Sequence, residues 1–352
     1  MRILCIYPGN PTVQLEGVRA GELPDTMLYG YNHLASFELE ADMLGRDDGL
    51  PRWFTRGTLG KHLGFRLRHF LLFFTARRYN VVFGGALLYL MPLKKLFGGR
   101  AKYVLFNIEL LRILRANEHR PLRYRYIVSL LREFAAIVCL SSVQKEWLRI
   151  RFPFLEGRLH VVPLGVDVEY CTPVYEGRGN TVLSVGKDGG RDYATLIEAA
   201  RRMPHTQFEI VCSPRNMTSI SDIPPNVRVF YDLPFSELAC KYRTAKLIVI
   251  ETHNDVYADG SDCSGQTVLL DAMAYGLPII ATRKQYLSEY ARDGEDLIMV
   301  EPYDGVAIQS AIERLEDPML RLRLARGARS RVERDLSTRQ MAERLTRIFH
   351  TC

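Results

Sequence analysis

Residues 262–282 of the chain read DCSGQTVLLDAMAYGLPIIAT. Val268 to Tyr275 carry apolar residues at helical spacing, and a glycine and a proline then end the helix before the short apolar run Ile279–Ala281. A helix that leads directly into a short, continuously apolar strand is typical of a parallel sheet covered by helices on both faces. This stretch therefore predicts an α/β fold.

The same alternation of strand and helix extends along the whole chain. Its 352 residues suit two domains of about 150 residues each, and prolines and glycines concentrate between Pro163 and Gly179. We therefore expect two Rossmann-like, doubly wound halves facing across a cleft, which is the usual ligand site of such folds. The predicted strands are Ile3–Tyr7, Val81–Gly84, Tyr103–Phe106, Ile137–Leu140 and Leu159–Val162 in the first half, and Val182–Gly186, Phe208–Cys212, Val227–Phe230, Leu247–Ile250, Ile279–Ala281 and Leu297–Val300 in the second.

The start of the 268–275 helix predicts an anion site. Ser264 can cap the helix, which leaves the amides of Gly265, Gln266 and Thr267 without intrahelical partners at the positive end of the helix dipole. Asp271 lies on the same face as Thr267, roughly 10 Å from the anion site at 1.5 Å rise per residue. That span suits a ligand with phosphates at one end and a ribose at the other. The alternative is that Ser264 only caps and Asp271 is a solvated acid.

Two glycine-containing loops follow predicted strands. Residues 185–199 read VGKDGGRDYATLIEA, in which Gly186 ends a strand and Lys187 and Arg191 can hold a diphosphate and stabilise it as a leaving group. Gly9 and Asn10 follow the first strand, where a doubly wound fold places its first ligand loop. The alternative for the first loop is that Lys187 and Arg191 are two surface cations near a turn. The alternative for the second loop is a simple turn.

The charge of the chain is unevenly distributed. Residues 1–168 hold 24 Lys and Arg against 14 Asp and Glu, and the stretch 49–108 holds 11 basic residues and no acidic one. This predicts an anionic partner, either a membrane surface, which we favour, or a phosphorylated substrate. In the helix predicted within 61–78, the stripe Leu63, Leu67, Phe70, Leu71 and Phe74 is expected in the core, with Phe65, Leu72 and Phe73 facing the membrane. The alternative is a helix packed on both sides. No nucleic-acid-binding module is present, so we expect no nucleic-acid partner.

Together these motifs resemble the retaining GT-B glycosyltransferases of the large bacterial family that includes lipopolysaccharide and lipid glycosyltransferases, the glycosyl transferases group 1 type. Residues 162–167, VPLGVD, are similar to the family's interdomain signature. Residues 183–199 resemble its Gly-Arg…Lys-Gly segment, with Lys187 at the arginine position and Arg191 at the lysine position. Residues 263–278 resemble its Glu-x7-Glu segment and the sequence that follows. The first half resembles the family only in outline.

The resemblance implies a donor site in the second half. Donor-binding residues would be Gly9, Gly186, Lys187, Arg191, Cys263, Ser264, Gly265, Gln266, Thr267 and Asp271, with Lys187, Arg191 and Asp262 catalytic. Asp271 would accept hydrogen bonds from the ribose of a nucleotide sugar, with UDP-sugars as first candidates. No metal or other cofactor is implied, because Lys187, Arg191 and the start of the helix would take the place of a metal ion at the diphosphate. Cys263 stands where the family has its first Glu, and Asp262 or Gln266 would be its substitute.

The resemblance also implies that the two halves of the chain bind different substrates. Residues 1–167 would bind the acceptor, 168–335 the donor, and a helix within 336–352 would cross back to the first domain. Acceptor-side candidates are Asn10, Asp25, His33, Asn107 and Glu109. The acceptor would be lipid-linked, on a cytoplasmic enzyme peripheral to the inner face of the membrane.

Two other functions remain open. The first is a catalytically silent GT-B subunit that binds membrane or a partner enzyme, which Cys263 favours. The second is a GT-B epimerase or phosphorylase. Seven cysteines without a CxxC pair or a metal-ligand spacing indicate free thiols in a reducing compartment and no metal site.

Overall fold

The structure is a computed structural model that describes residues 1–7, 11–45, 69–257 and 262–352. The chain forms two compact units, neither of which is one continuous stretch of sequence. Unit 1 comprises Met1–Ala20, Met27–Pro163 and Arg339–Cys352, and unit 2 comprises Gly21–Thr26 and Leu164–Thr338.

Unit 1 contains a six-stranded parallel sheet in the order β2-β1-β3-β4-β5-β6. Its central strands are short apolar runs buried on both faces, as expected of a sheet covered on both sides. The order reverses between β1 and β3, which is a topological switch point. The strands are β1 Arg2–Tyr7, β2 Glu40–Gly45, β3 Val81–Gly84, β4 Lys102–Asn107, β5 Ala136–Cys139 and β6 Leu159–Val161.

Helices of unit 1 lie between these strands, and the last helix of the chain joins them. They are α1 Pro11–Arg19, α2 with described residues 69–76, α3 Met91–Phe97, α4 Leu110–Arg115, α5 Pro121–Leu131, α6 Ser142–Arg151 and α13 Thr338–Thr351. Short 3₁₀ turns occupy Asp25–Leu28, Tyr31–Phe37, Leu87–Leu90 and Pro153–Leu155. Phe349 of α13 packs against Phe83 of β3 with ring centroids 5.4 Å apart, so α13 completes the core of this unit.

Unit 2 contains a second six-stranded parallel sheet in the order β12-β11-β10-β7-β8-β9. This is the order of the doubly wound dinucleotide-binding fold, with its switch point between β7 and β10. The strands are β7 Thr181–Val185, β8 Gln207–Cys212, β9 Val227–Tyr231, β10 Leu247–Ile250, β11 Ile279–Thr282 and β12 Ile298–Val300. The helices are α7 Tyr193–Arg202, α8 Phe235–Thr244, α9 Gln266–Ala274, α10 Leu287–Tyr290, α11 Gly305–Arg314 and α12 Pro318–Asp335, with a 3₁₀ turn at Pro214–Met217.

The expected α/β architecture of two Rossmann-like domains is confirmed, and each predicted strand is present within one or two residues of its predicted bounds. β2 is the strand that the sequence did not predict. Its residues Glu40 and Asp42 are exposed at the edge of the sheet, so the strand lacks the continuous apolar run of its neighbours.

The predicted faces of α2 are wrong for the described part of the helix. Leu72 and Phe73 are buried in the core, whereas Phe70, Leu71 and Phe74 are exposed by about two fifths. The reason is that residues 70–74 are all apolar, so periodicity does not select a face and packing against the sheet does. The exposed residues join Leu96 and Phe97 of α3, with Phe74 and Phe97 ring centroids 5.9 Å apart. We call these five residues the apolar patch.

None of the helices in the described ranges combines the length and apolar composition needed to cross a bilayer. Phe65, which was predicted to face the membrane, lies outside the described part of the chain, as do Leu63 and Leu67 of the predicted core stripe.

Candidate anion-binding site of unit 2

The candidate site lies at the switch point of the unit 2 sheet. β7 and β10 are neighbours there, and each is followed by one of the loops that the sequence singles out. The loop 186–192 follows β7, and the segment after β10 leads to the start of α9. Ligands of open parallel sheets bind outside the carboxyl ends of the strands at such a point.

Loop 186–192 is fixed by contacts from three directions. The Tyr193 hydroxyl donates a hydrogen bond to the Gly186 carbonyl at 2.7 Å, the His253 amide donates to the Gly190 carbonyl at 2.9 Å, and the Asn216 side chain donates to the Asp188 carbonyl at 2.9 Å. A Cβ on Gly186 would lie 2.0 Å from Nε of Arg191. Gly186 is therefore needed because the guanidinium packs directly on the loop backbone.

Arg191 is a buried cation with unused donors. Its Nη2 donates to the Val185 carbonyl, while Nε and Nη1 have no hydrogen-bond partner within the described part of the chain. Burial lowers the pKa of the guanidinium, but the neighbouring acidic groups of Tyr193, Glu251 and Asp188 outweigh it and the pKa is raised. The group is therefore charged and can accept an anion, since a buried donor without an acceptor is costly.

The start of α9 adjoins this cation. A Cβ on Gly265, the residue before the helix, would lie 3.6 Å from Nη1 of Arg191. Gly265 is in the left-handed conformation at φ 87°, which favours glycine. The helix dipole and the guanidinium thus direct positive charge at one location, which makes it an anion site.

The expectation that Ser264 caps α9 is wrong. Gly265 is the N-cap, and the Ser264 hydroxyl instead donates to the Asp188 carboxylate, 2.8 Å from each oxygen. The amide of Gln266 donates to the Cys263 carbonyl at 3.1 Å, so it does not face outward as expected. The physical reason is the left-handed Gly265, which turns the chain so that Ser264 links the two loops.

Asp271 and Thr267 lie on the accessible face of α9, as the sequence predicts. Every other residue of the helix is buried. No described residue donates a hydrogen bond to the Asp271 carboxylate, and desolvation raises the pKa of its carboxyl to about 7. A partly buried acceptor without a donor, four residues from the helix start, is suited to a diol.

The other predicted donor residues differ in exposure. Lys187 is exposed, and its Nζ lies 2.8 Å from the carboxylate of Asp232. Cys263 is buried and forms no disulfide, and Asp262 is partly buried. Gln266 is buried, and its amide nitrogen has no partner among the described residues. Gln266 therefore brings a second unused donor to the start of α9.

Glu251 and Asp188 are site residues that the sequence analysis did not identify. Glu251 is buried directly after β10, its carboxylate accepts the Ser184 hydroxyl at 2.9 Å, and burial raises its pKa to about 8. An acidic residue immediately after a buried strand was the available signal for Glu251. Nothing in the sequence separates Asp188 from an ordinary loop acid, because its role depends on Ser264, 76 residues away.

The predicted acceptor-side residues lie in different segments of the chain and differ in burial and in hydrogen-bond partners. Asn10 lies outside the described residues, as does Gly9, which was predicted to bind the donor. Asp25 belongs to unit 2, where its carboxylate accepts the Thr338 hydroxyl at 3.1 Å. His33 is partly buried in the turn Tyr31–Phe37.

Two acceptor-side candidates lie at the carboxyl end of β4 in unit 1, where Asn107 is the last residue of the strand and Glu109 follows it. Asn107 is buried, and its side chain accepts the Leu110 amide at 3.2 Å and faces Gln144. Glu109 is half exposed and pairs with Arg112. The acceptor roles of both residues stay predictions.

Among the described residues, no group of three or more His, Cys, Asp or Glu side chains could hold a metal ion. The independence of the site from metal stays a prediction.

Solved structures of other proteins have the same fold. The chain superposes over its full length on sucrose-phosphate synthase from Thermosynechococcus elongatus, with 98% of that chain covered, a TM-score of 0.73 and 18% identity. It also superposes on Alr3699/HepE of Anabaena, solved in complex with UDP and glucose, with 100% of both chains covered, a TM-score of 0.68 and 13% identity. The chain therefore has the GT-B fold.

Sequence comparison is more specific for unit 2. Residues 180–317 match the family described as Glycosyl transferases group 1, which confirms the resemblance to that family. The chain is 32% identical over 201 residues to a D-inositol 3-phosphate glycosyltransferase from Acidothermus cellulolyticus, covering 49% of this chain and 43% of that protein. The chain thus spans less than half the length of this relative.

Proposed function

We propose that this protein is a retaining, metal-independent glycosyltransferase that moves a hexose from a nucleoside-diphosphate donor to an acceptor hydroxyl. The observation that carries the proposal is the buried Arg191, whose Nε and Nη1 have no partner among the described residues and which adjoins the start of α9. A UDP-sugar is the first candidate donor, because HepE, which shares the fold, was solved with UDP and glucose.

In this proposal the site binds the donor along α9. Arg191 and the helix start hold the diphosphate, and the Asp271 carboxylate accepts hydrogen bonds from the ribose. The Lys187–Asp232 pair is exposed on both sides, so it contributes little in the free protein and the ammonium group is available to the phosphates.

The transfer follows from that charge arrangement. The bond between C1 of the sugar and the diphosphate oxygen breaks, and its electron pair goes to the diphosphate, whose growing charge the cations and helix start stabilise. The acceptor oxygen bonds to C1 on the face of the sugar from which the diphosphate departs. The proton of the acceptor hydroxyl leaves with the nucleoside diphosphate. Asp262, or Gln266 with its unused amide, would contact the sugar where the family has a Glu.

We propose a lipid-linked acceptor and a cytoplasmic protein peripheral to the inner face of the membrane. The apolar patch supports this, because exposed aromatic and leucine side chains flanked by cations suit the interface of an anionic bilayer. Six of the 11 basic residues in 49–108 lie within the described part of that stretch, and the Arg77 guanidinium lies 5.8 Å from the Phe74 ring centre.

Cys263 favours one other function, a catalytically silent GT-B subunit. It is buried and stands where the family has a carboxylate. A thiol does not accept hydrogen bonds from sugar hydroxyls as a carboxylate does.

A thermal-shift screen of UDP-, GDP- and ADP-sugars tests the donor, because a ligand that binds the folded state raises its apparent stability. We expect one nucleotide series to stabilise the protein, and Asp271→Asn to reduce the shift. Incubation of that donor with membrane lipid extract, with and without inorganic phosphate, then separates transfer from epimerase or phosphorylase chemistry. Binding without any turnover would leave the silent subunit as the function, and no binding at all would refute the donor site.

A further inference from the structure

Unit 1 contains a cavity of about 380 Å³ at the carboxyl ends of its strands. Its lining includes Tyr7, the last residue of β1, and Gly84, the last residue of β3, with Gly85 and Ala86 after it. Phe106 near the end of β4 and Ile108 just after it also line the cavity, which therefore lies at the switch point between β1 and β3. A ligand site is expected at that point in a sheet of this order. Its volume is within the range of small-molecule sites.

The described wall of the cavity is predominantly apolar. Glu109 is its one charged side chain, and it is half exposed and engaged with Arg112. The Tyr31 hydroxyl donates to the Ala41 carbonyl at 2.9 Å. Aliphatic side chains share the remaining wall with six aromatic residues, which are Tyr7, Tyr29, Tyr31, Phe83, Tyr89 and Phe106. A sugar in this space would leave most of its hydroxyls without partners, which disfavours a carbohydrate occupant.

Tyr29 is held in the wall by a strained backbone. Its φ is 52°, in the left-handed region that a bulky residue rarely adopts. Its ring lies 5.1 Å from that of Phe106 and 6.4 Å from that of Tyr7, and burial raises the pKa of its hydroxyl to about 12. A conformation of this kind persists only where the surrounding contacts enforce it, and such conformations cluster at ligand sites.

The rim of the cavity connects to the apolar patch. Tyr89 lines the cavity and is half exposed, and its ring lies 5.4 Å from that of His69. His69 is followed directly by Phe70, the first residue of the patch, which packs against Phe74 with ring centroids 4.6 Å apart. His69 therefore places the start of the apolar patch near the mouth of the cavity.

We propose that the cavity binds the hydrocarbon chain of a membrane lipid that is the acceptor, with its hydroxyl group at the carboxyl ends of the strands. The inference rests on the proposed function and names its acceptor class. The bond formed joins the lipid's own hydroxyl oxygen to C1 of the sugar, the C1–diphosphate bond breaks, and the hydroxyl proton leaves with the nucleoside diphosphate. The reaction therefore adds the first sugar to a lipid instead of extending a glycan.

The test uses 1-octanol as the probe, with 2-naphthol and methyl glucoside as the other arms, measured by calorimetry on the full chain. We expect octanol to bind at one site, and Ala86→Phe, which fills the cavity from its rim, to weaken octanol binding at least tenfold. Ala116→Phe places the same side chain on an exposed position outside the lining and should leave octanol binding unchanged.

Binding of the donor nucleotide to each variant is measured in parallel, with thermal melting to verify folding. Nucleotide binding without octanol binding would overturn the lipid inference while the proposed function stands. Octanol binding without nucleotide binding would refute the donor site and the acceptor role together, and would leave only a cavity that binds hydrocarbon. Preferential binding of naphthol or of methyl glucoside would overturn it in favour of an aromatic or a carbohydrate acceptor. Equal octanol binding by wild type and Ala86→Phe would place the probe outside the cavity and overturn it as well.

Discussion

Asp271→Asn should change stability and nucleotide affinity in opposite directions. Desolvation raises the pKa of the carboxyl from 3.8 to about 7, so ionised Asp271 is unfavourable in the free protein. The amide removes that charge, and the ligand-free variant should be more stable than wild type at pH 8. The same change removes the charged acceptor for the ribose hydroxyls, so the nucleotide should bind more weakly.

The size of both effects follows from the pKa and the contacts. A raised acid pKa means that the folded state binds the proton more tightly than the unfolded state, so the contribution of this group to stability falls as pH rises from 3.8 towards 7. A shift of about three units corresponds to at most about 4 kcal/mol, and partial exposure reduces the expected gain to about 1–2 kcal/mol. Loss of hydrogen bonds to a charged group should cost about 1–3 kcal/mol, or about 5- to 150-fold in Kd.

Calorimetry with a UDP-sugar at pH 6 and pH 8 measures the affinity, and chemical denaturation measures the stability. Wild type should bind about tenfold more weakly at pH 6, because only about a tenth of a carboxyl with a pKa near 7 is then ionised. The variant should lack this contribution, and any pH dependence that it retains would arise from Glu251, which lies beside Arg191 and whose pKa is raised to about 8. Glu198→Gln is the matched control, since Glu198 is a half-exposed acid that pairs with Arg202 on α7. Unchanged affinity in Asp271→Asn, or the same pH dependence in both proteins, would refute the ribose role.

Three further outcomes are expected. Lys187→Ala and Arg191→Ala should each lower kcat by about 10²–10³-fold with folding verified by thermal melting, and near-wild-type turnover in both would exclude the diphosphate role. Activity should survive EDTA; complete loss that Mg²⁺ restores would indicate a metal-dependent site. The chain should sediment with anionic vesicles more than with neutral ones, and the double change Phe70→Ser with Phe74→Ser should weaken this, whereas Ile150→Ser, an exposed apolar residue outside the patch, should not. Equal binding to both kinds of vesicle at low salt would contradict the membrane proposal.

The fold was largely predictable because its strands are short, continuously apolar and buried on both faces. Each such run in the sequence is a strand in the structure. β2 escaped prediction because an edge strand exposes half its residues, and Glu40 and Asp42 there remove the apolar signal. The faces of α2 could not be chosen because five consecutive apolar residues satisfy any helical stripe.

The sequence predicted those parts of the candidate site whose residues lie on a single helix. Asp271 and Thr267 share a helix face because they are four residues apart, and this follows from helix geometry alone. The link between Ser264 and Asp188, and the carboxyl of Glu251 beside Arg191, join residues 60 or more positions apart. Such contacts depend on strand order, which the pattern of a single sequence does not specify.

The discontinuity of unit 1 has a consequence for the nascent chain. The unit takes its last helix from residues 339–352, and Phe349 and Leu345 of that helix are buried in it. Residues 164–338 are synthesised between the last strand of unit 1 and this helix, which at about 5–20 residues per second takes roughly 10–35 s. During that interval Phe83 and its neighbours are not covered by α13. The first half of the protein must therefore wait on the ribosome with an incomplete core, while the second half can close as soon as its own strands have emerged.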